Sequence, residues 1–145
     1  MFSALAAAHL LFPETGHDVP ARLRLSVDGD GRQHWRRDFQ FPRLRRFDAV
    51  LARDRELGLV ELLGPGGRVA MPWVVRFVPP AMLVIEGRTA FVRVGRRWRR
   101  LPCQLVPNVR AVERVVGPSR IHVELVVAHR RLGPVFGYEG TFELR

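Results

Sequence analysis

One arginine interrupts a row of aromatic residues in the first third of the chain. The segment Gln33–Phe41 alternates with a period of two, which is typical of a β-strand, so one side of it would carry Trp35, Arg37, Phe39 and Phe41. A guanidinium on an apolar face is costly to bury without a partner. That partner could be Glu61, the phenol of Tyr138, or the carboxylate or phosphate of a ligand.

These residue types predict a ligand site at which aromatic walls enclose an apolar tail and the cation holds an acid group. The ligand would be a small apolar or amphipathic anion, such as a lipid-like acid. The predicted site residues are Arg37, Trp35, Phe39, Glu61 and Tyr138. The alternative is a filled core from which Arg37 extends its charged end to solvent.

A second candidate site is an arginine-rich surface. The chain has 24 basic residues against 14 acidic ones, a net charge of +10, and every basic residue is arginine. Arginines alternate with aromatic residues around Trp35 and Trp98, as in proteins that bind single-stranded nucleic acid. The predicted anion or nucleic-acid surface is Arg22, Arg24, Arg36, Arg97 and Arg99. We expect weak, non-specific, salt-sensitive binding to nucleic acid, unless the arginines only keep the surface solvated.

The chain does not match the sequence motifs of common enzymes. Ser119, His122 and Glu124 lie close together, but they lack the strained turn of a serine nucleophile, and a metal site needs three or four ligands. The loop at Gly64–Arg68 lacks the Lys and the Ser or Thr of a phosphate-binding loop. No catalytic residue, metal or cofactor is predicted, so an uncharacterised enzyme is the third hypothesis.

Short alternating segments recur along the chain and predict an all-β protein. Arg22–Val27 and Gln33–Phe41 would form a hairpin across Asp28–Gly31. Further strands are predicted at Phe47–Arg53, Leu57–Leu63, Trp73–Val78, Met82–Glu86 and Thr89–Val94. Near the C-terminus, two strands would turn the following residues to the core: Ile121, Val123, Leu125, Val127, Phe136, Tyr138, Phe142 and Leu144.

About 8 to 10 short strands with this spacing favour an antiparallel, strongly curved sheet or barrel. The apolar residues Met1–Phe12 predict a short N-terminal helix. With 145 residues, the chain is expected to form a single domain over residues 1–145. The long apolar stretch is broken by prolines, so no transmembrane segment is expected. A lone cysteine, Cys103, excludes an intramolecular disulfide and favours a cytoplasmic location, and its apolar context predicts an inert small hydrophobe.

Several segments in order resemble the bacterial domain of unknown function 4166. The resemblance spans nearly the whole chain and is carried by Gly16–Pro20, Gln33–Phe39, Gly58–Pro65, Trp98–Pro107 and Leu132–Phe142. Members of this family sometimes follow a nicotinamide-nucleotide-binding oxidoreductase-like domain, which implies an NAD(P)-binding oxidoreductase partner. The family has no assigned catalytic residue. This sequence departs from the family pattern at Gly137, where an arginine is common, and at Thr141, where a tryptophan is common.

The sequence therefore predicts a non-catalytic binding or accessory module. Its leading function is to hold an apolar or amphipathic anionic ligand in a concave β-sheet, acting with an oxidoreductase partner. Non-specific nucleic-acid binding through the arginine surface is the alternative.

Overall fold

A computed structural model describes residues 15–143 of the chain, apart from the side chain of Pro65. Twelve β-strands and one short 3-10 helix, Pro65–Gly67, lie within these residues. The strands are β1 (Ala21–Val27), β2 (Gln33–Gln40), β3 (Leu44–Asp54), β4 (Gly58–Leu63), β5 (Val69–Pro72), β6 (Val74–Val78), β7 (Met82–Gly87), β8 (Phe91–Val94), β9 (Arg97–Arg100), β10 (Asn108–Gly117), β11 (Arg120–His129) and β12 (Gly133–Glu143). The predicted helix at Met1–Phe12 and the predicted core residue Leu144 lie outside the described residues.

The predicted all-β class is confirmed, whereas the barrel alternative is wrong. In the part of the chain that the structure describes, the strands form two antiparallel sheets and no closed barrel. Two compact units divide the chain between Ala70 and Met71. The prediction of one domain over residues 1–145 stays a prediction.

The first unit contains the antiparallel strands β1, β2, β3 and β4 as neighbours in that order. Cross-strand partners run Arg24↔Arg36 and Arg36↔Asp48, and on the other face Leu23↔Arg37 and Arg37↔Phe47. Because side chains alternate along a strand, Arg36 and Arg37 point to opposite faces of this sheet. The predicted hairpin across Asp28–Gly31 is confirmed.

Asp28 organises the turn of this hairpin. Its Oδ1 accepts hydrogen bonds from the backbone N–H groups of Asp30 (3.0 Å) and Arg32 (2.9 Å), and its Oδ2 lies 3.0 Å from Nε2 of His34. Gly31 has a φ of 76°, which a residue without a Cβ adopts at least cost. The side-chain hydrogen bond with His34, followed by the backbone hydrogen bond from Arg32, lowers the pKa of Asp28.

The Asp28→Asn variant is expected to be less stable than the parent at neutral pH, and the difference should disappear in acid. The folded-state pKa of Asp28 lies below its ordinary value of 3.8. The carboxylate therefore stabilises the fold fully above that ordinary value, and this contribution is lost as pH falls through the lower folded-state pKa. Urea midpoints of both proteins between neutral pH and about pH 2 measure the effect. A difference that persists or grows in acid would contradict this assignment.

The second unit contains a five-stranded antiparallel sheet in the order β12-β11-β10-β7-β6. Its register places Leu125 opposite both Tyr138 and Ala111, and Val123 opposite Gly140. Leu125 is 6% exposed and Val123 is 5% exposed. The predicted shared face of the two C-terminal strands is therefore confirmed for the described residues.

Sequence patterning missed β10. Two consecutive residues in it, Ala111 and Val112, are both buried, at 4% exposure each. Burial of neighbouring residues in a strand removes the apolar-polar alternation by which strands are recognised. Strand β9 was missed as well, because its four residues include three arginines.

A buried histidine holds the loop before β10 against the end of β11. His129 is 8% exposed, its Nε2 lies 2.8 Å from the carbonyl oxygen of Gln104, and its Nδ1 accepts a hydrogen bond from the backbone N–H of Arg131 (3.3 Å). With Nδ1 as acceptor, Nε2 carries the proton and donates to Gln104. Cys103, in the same loop, is exposed, and its predicted role as an inert small hydrophobe stays a prediction. The two prolines that flank this segment limit its backbone pairing, so it runs as a surface turn.

Candidate functional site

Two chemically different faces lie on the sheet formed by β1, β2 and β3. We call the side that bears Arg22, Arg24, Arg36 and Arg46 the cationic face, and the opposite side, which bears Leu23, Leu25, Trp35, Arg37 and Phe47, the aromatic face. The two faces differ because side chains alternate along each strand and because the register places arginines opposite charged residues and apolar residues opposite apolar ones, with Arg37 as the exception. The two predicted sites of the first unit thus lie back to back.

Arg37 occupies the centre of the aromatic face and is only 7% exposed. Its guanidinium carbon lies 5.3 Å from the ring centroid of Trp35 and 5.3 Å from that of Phe47. Such distances allow cation-π attraction with both rings. Its Nη1 is buried and has no hydrogen-bond partner within residues 15–143. The alternative of a guanidinium that extends to solvent is wrong.

The other predicted residues of this site have different positions. Phe39 lies on the same face of β2 and is 7% exposed, whereas Glu61 is 5% exposed and lies opposite Leu51 on β3. Glu61 does not supply the partner that Nη1 of Arg37 lacks. Tyr138 belongs to the second unit, where it lies on β12 opposite Leu125.

Phe47 is a site residue that sequence reasoning missed. It was placed on a strand, but its contact with Arg37 depends on the register of β3 against β2. The information that was missing is the register between β2 and β3, which a single strand does not contain. The register of two neighbouring strands can be counted from the turn that joins them, but the connection at Phe41–Arg43 carries no clear turn sequence.

Apolar side chains of β1 continue the aromatic face toward the sheet edge. Leu23 is the cross-strand partner of Arg37, and Leu25 is that of Trp35. Val27 is the next residue of β1 on the same face. Leu25 is 51% exposed and Val27 is 67% exposed. A buried cation is therefore continuous with an exposed apolar strip.

The cationic face carries alternating ion pairs. Arg46 Nε lies 2.9 Å from Oδ1 of Asp38, and Arg36 Nε lies 3.4 Å from Oδ1 of Asp48. The hydrogen bond from Arg46 lowers the pKa of Asp38, and the same carboxylate raises the pKa of Arg46. Arg24 lies directly opposite Arg36. It makes no hydrogen bond or ion pair with any other residue in the part of the chain described by the structure.

An open groove of about 480 Å³ crosses this part of the sheet. It is lined by Arg24, Leu25, Ser26, His34, Trp35, Arg36, Asp48, Ala49 and Val50. By register, Arg24, Arg36 and Asp48 form one row, and Ser26, His34 and Val50 form the next row on the same face. The groove follows the space between these two rows.

The remaining predicted anion-binding residues lie in the second unit. Arg97 and Arg99 share one face of β9, opposite Val94 and Val92 of β8. Trp98 points to the other face, where its ring lies 5.6 Å from the guanidinium carbon of Arg93. In both units, therefore, the arginine-aromatic alternation places tryptophan and its neighbouring arginines on opposite faces.

Residues 15–143 contain neither a metal-binding cluster nor a membrane-spanning helix. Among residues 15–143, no three His, Cys, Asp or Glu side chains are arranged to hold a metal ion. Nε2 of His122 lies 3.2 Å from Glu139 rather than pairing with Glu124 on its own strand. The same residues contain no helix with the length and hydropathy needed to cross a membrane.

Comparison with known proteins identifies the family of this chain. A family model described as a domain of unknown function, DUF4166, matches residues 1–142. No curated protein and no solved structure matches the chain. Since the matching model covers nearly every residue, the chain belongs to the family of the domain of unknown function 4166.

Proposed function

We propose that this protein is a non-catalytic binding module that holds an apolar or amphipathic anionic ligand on the aromatic face of its first unit. The observation that carries the proposal is the buried Nη1 of Arg37, which has no hydrogen-bond partner among the described residues. An unsatisfied buried donor costs about 1 to 3 kcal/mol, and more when the group is charged. A carboxylate or phosphate that reaches Arg37 would remove that cost.

The surroundings of Arg37 favour an amphipathic ligand over a free inorganic anion. The rings of Trp35 and Phe47 flank the guanidinium, and the exposed side chains of Leu25 and Val27 extend the apolar surface to the sheet edge. An acid group would pair with Arg37 while its hydrocarbon tail covers the strip on β1. Burying that tail against the strip would contribute roughly 25 cal/mol for each Å² of apolar surface removed from water.

Access requires a small movement, because Nη1 of Arg37 is buried beneath its neighbours. Within the described residues, strand β1 pairs only with β2 and is therefore an edge strand. Its side chains are the ones that a ligand would displace at least cost, since edge residues have fewer packing partners. The ligand thus replaces part of the cover on Arg37 rather than filling an empty chamber.

The Arg37→Leu variant tests this function. We expect the parent to bind a fluorescent fatty acid and the variant to lose that binding. The melting temperature of the variant should stay unchanged or rise, because an apolar side chain of similar reach replaces an unsatisfied buried charge. The matched control is Arg36→Leu, which removes the same charge from the opposite face and should leave fatty-acid binding intact. Absence of binding by the parent, together with destabilisation of Arg37→Leu, would end the proposal.

Two wider features belong to the same proposal. The module would act in the cytoplasm with an NAD(P)-binding oxidoreductase, to which it would present or withdraw the bound acid. The single cysteine supports a reducing compartment, because the chain has no second cysteine with which to form an internal disulfide. Co-purification of a dehydrogenase with the tagged full-length chain, dependent on Arg37, would support that partnership.

A further inference from the structure

The cationic face carries a second, independent feature, which begins with the balance of charge in its rows. In the row Arg22, Asp38 and Arg46, the central carboxylate separates the two arginines and accepts a hydrogen bond from Arg46 at 2.9 Å. That row has a cation, an anion and a cation in alternation. Its arrangement is favourable without any ligand.

The next row has a different order, with two cations side by side. Arg24 and Arg36 are direct cross-strand partners, and the only carboxylate of the row, Asp48, lies on the far side of Arg36 at 3.4 Å. Like charges directly opposite each other in a sheet destabilise the pair. Arg24 makes no ion pair within the described residues. Its charge attracts Asp38, its diagonal neighbour on β2, but that carboxylate already accepts a hydrogen bond from Arg46 at 2.9 Å. An anion placed between the two guanidinium groups would reverse the sign of the interaction.

The groove beside this row has the dimensions of a small-molecule site. Its volume of about 480 Å³ lies within the range of about 300 to 1,000 Å³ that is usual for ligand pockets. Besides the two arginines, its polar lining consists of the hydroxyl of Ser26, the imidazole of His34, whose Nε2 lies 3.0 Å from Asp28, and the carboxylate of Asp48, which Arg36 neutralises. Guanidinium groups present paired N–H donors whose spacing matches two oxygens of a phosphoryl group.

The side chains on this face distinguish a small phosphorylated molecule from single-stranded nucleic acid. Trp35 lies in the row between the two walls of the groove, but its side chain points to the aromatic face. In β1, β2 and β3 the cationic face has no Phe, Tyr or Trp on which a base could stack. Base stacking provides much of the affinity for single strands, so its absence favours a compact anion.

We propose that the Arg24–Arg36 pair, with Ser26 and His34 beside it, binds the phosphoryl group of a small soluble phosphorylated molecule. This site is separate from the proposed fatty-acid site, because the two occupy opposite faces of the same strands. Loss of one should leave the other intact.

Binding of inorganic phosphate to the full-length chain tests the proposal, measured by calorimetry at constant ionic strength. We expect Arg24→Gln to weaken phosphate binding by about tenfold or more, since it removes one charged donor of the pair. The matched control is Arg22→Gln, which removes an equal charge from the same strand and face but lies opposite Asp38. It should change the affinity by less than about twofold.

Three outcomes would overturn the proposal. Equal weakening by Arg24→Gln and Arg22→Gln would show diffuse attraction rather than a site. Failure of the parent to bind phosphate at about 10 mM would show that there is no phosphate site, because any weaker binding would not be specific recognition. Binding to phosphatidic acid vesicles or to an oligonucleotide without binding to inorganic phosphate would assign the arginines to a membrane or a polyanion instead.

Fatty-acid binding that is unchanged in Arg24→Gln would show that the two faces act separately.

Discussion

Replacement of Leu125 by alanine is expected to lower the free energy of unfolding by about 2 to 5 kcal/mol. Leu125 is 6% exposed and packs on a face that it shares with Ala111 and Tyr138 in the neighbouring strands. Truncation removes buried methyl groups and leaves a cavity that a sheet with fixed register closes only in part. Urea denaturation of the purified protein measures the change.

The control for this prediction is Val126→Ala. Val126 is the next residue in β11, points to the opposite face and is 40% exposed. Its truncation should cost less than about 1 kcal/mol, because less apolar surface is buried there. A loss of less than about 0.5 kcal/mol for Leu125→Ala would mean that the register of β11 is wrong.

Substitution of Gly137 by alanine should destabilise the second unit by about 1 to 3 kcal/mol, the usual cost when an added carbon forces the backbone to shift. A Cβ at this position would lie 2.8 Å from the carbonyl oxygen of Leu125 and 3.7 Å from Cα of Val126. Both atoms belong to the backbone of β11, so no side-chain rotation relieves the contact. Either the ladder between β11 and β12 must widen or the strand must shift.

Gly140 on the same strand provides a matched control, because a Cβ there meets no atom within 4 Å. Gly140→Ala should be neutral or slightly stabilising, since alanine reduces the freedom of the unfolded chain. Melting temperatures of both variants compare the two positions directly. Equal effects of the two substitutions would contradict the close approach at Gly137.

Hairpins were the part of the fold that local sequence predicted best. Asp28–Gly31 combines a side chain that accepts backbone N–H groups with a glycine at positive φ, and both act within a few residues of the turn. The C-terminal strands were equally clear, because one face of each is apolar over its whole length. Where both neighbours are buried, as at Ala111 and Val112, the alternation disappears and β10 was missed.

Residue types and spacing alone determined three things about this protein: its all-β class, the turn of its first hairpin at Asp28–Gly31, and the unusual place of Arg37 in an apolar row. These depend on side-chain alternation and turn chemistry, which act over a few residues. Tertiary structure decided which residues surround Arg37, because the contact with Phe47 and the unpartnered Nη1 depend on strand register. Register also placed Arg24 against Arg36 and turned Trp35 away from both. Strand pairing and register depend on contacts between segments that are distant in sequence. The same local pattern is compatible with several partners and registers, so no single segment of the chain could reveal the observed pairing.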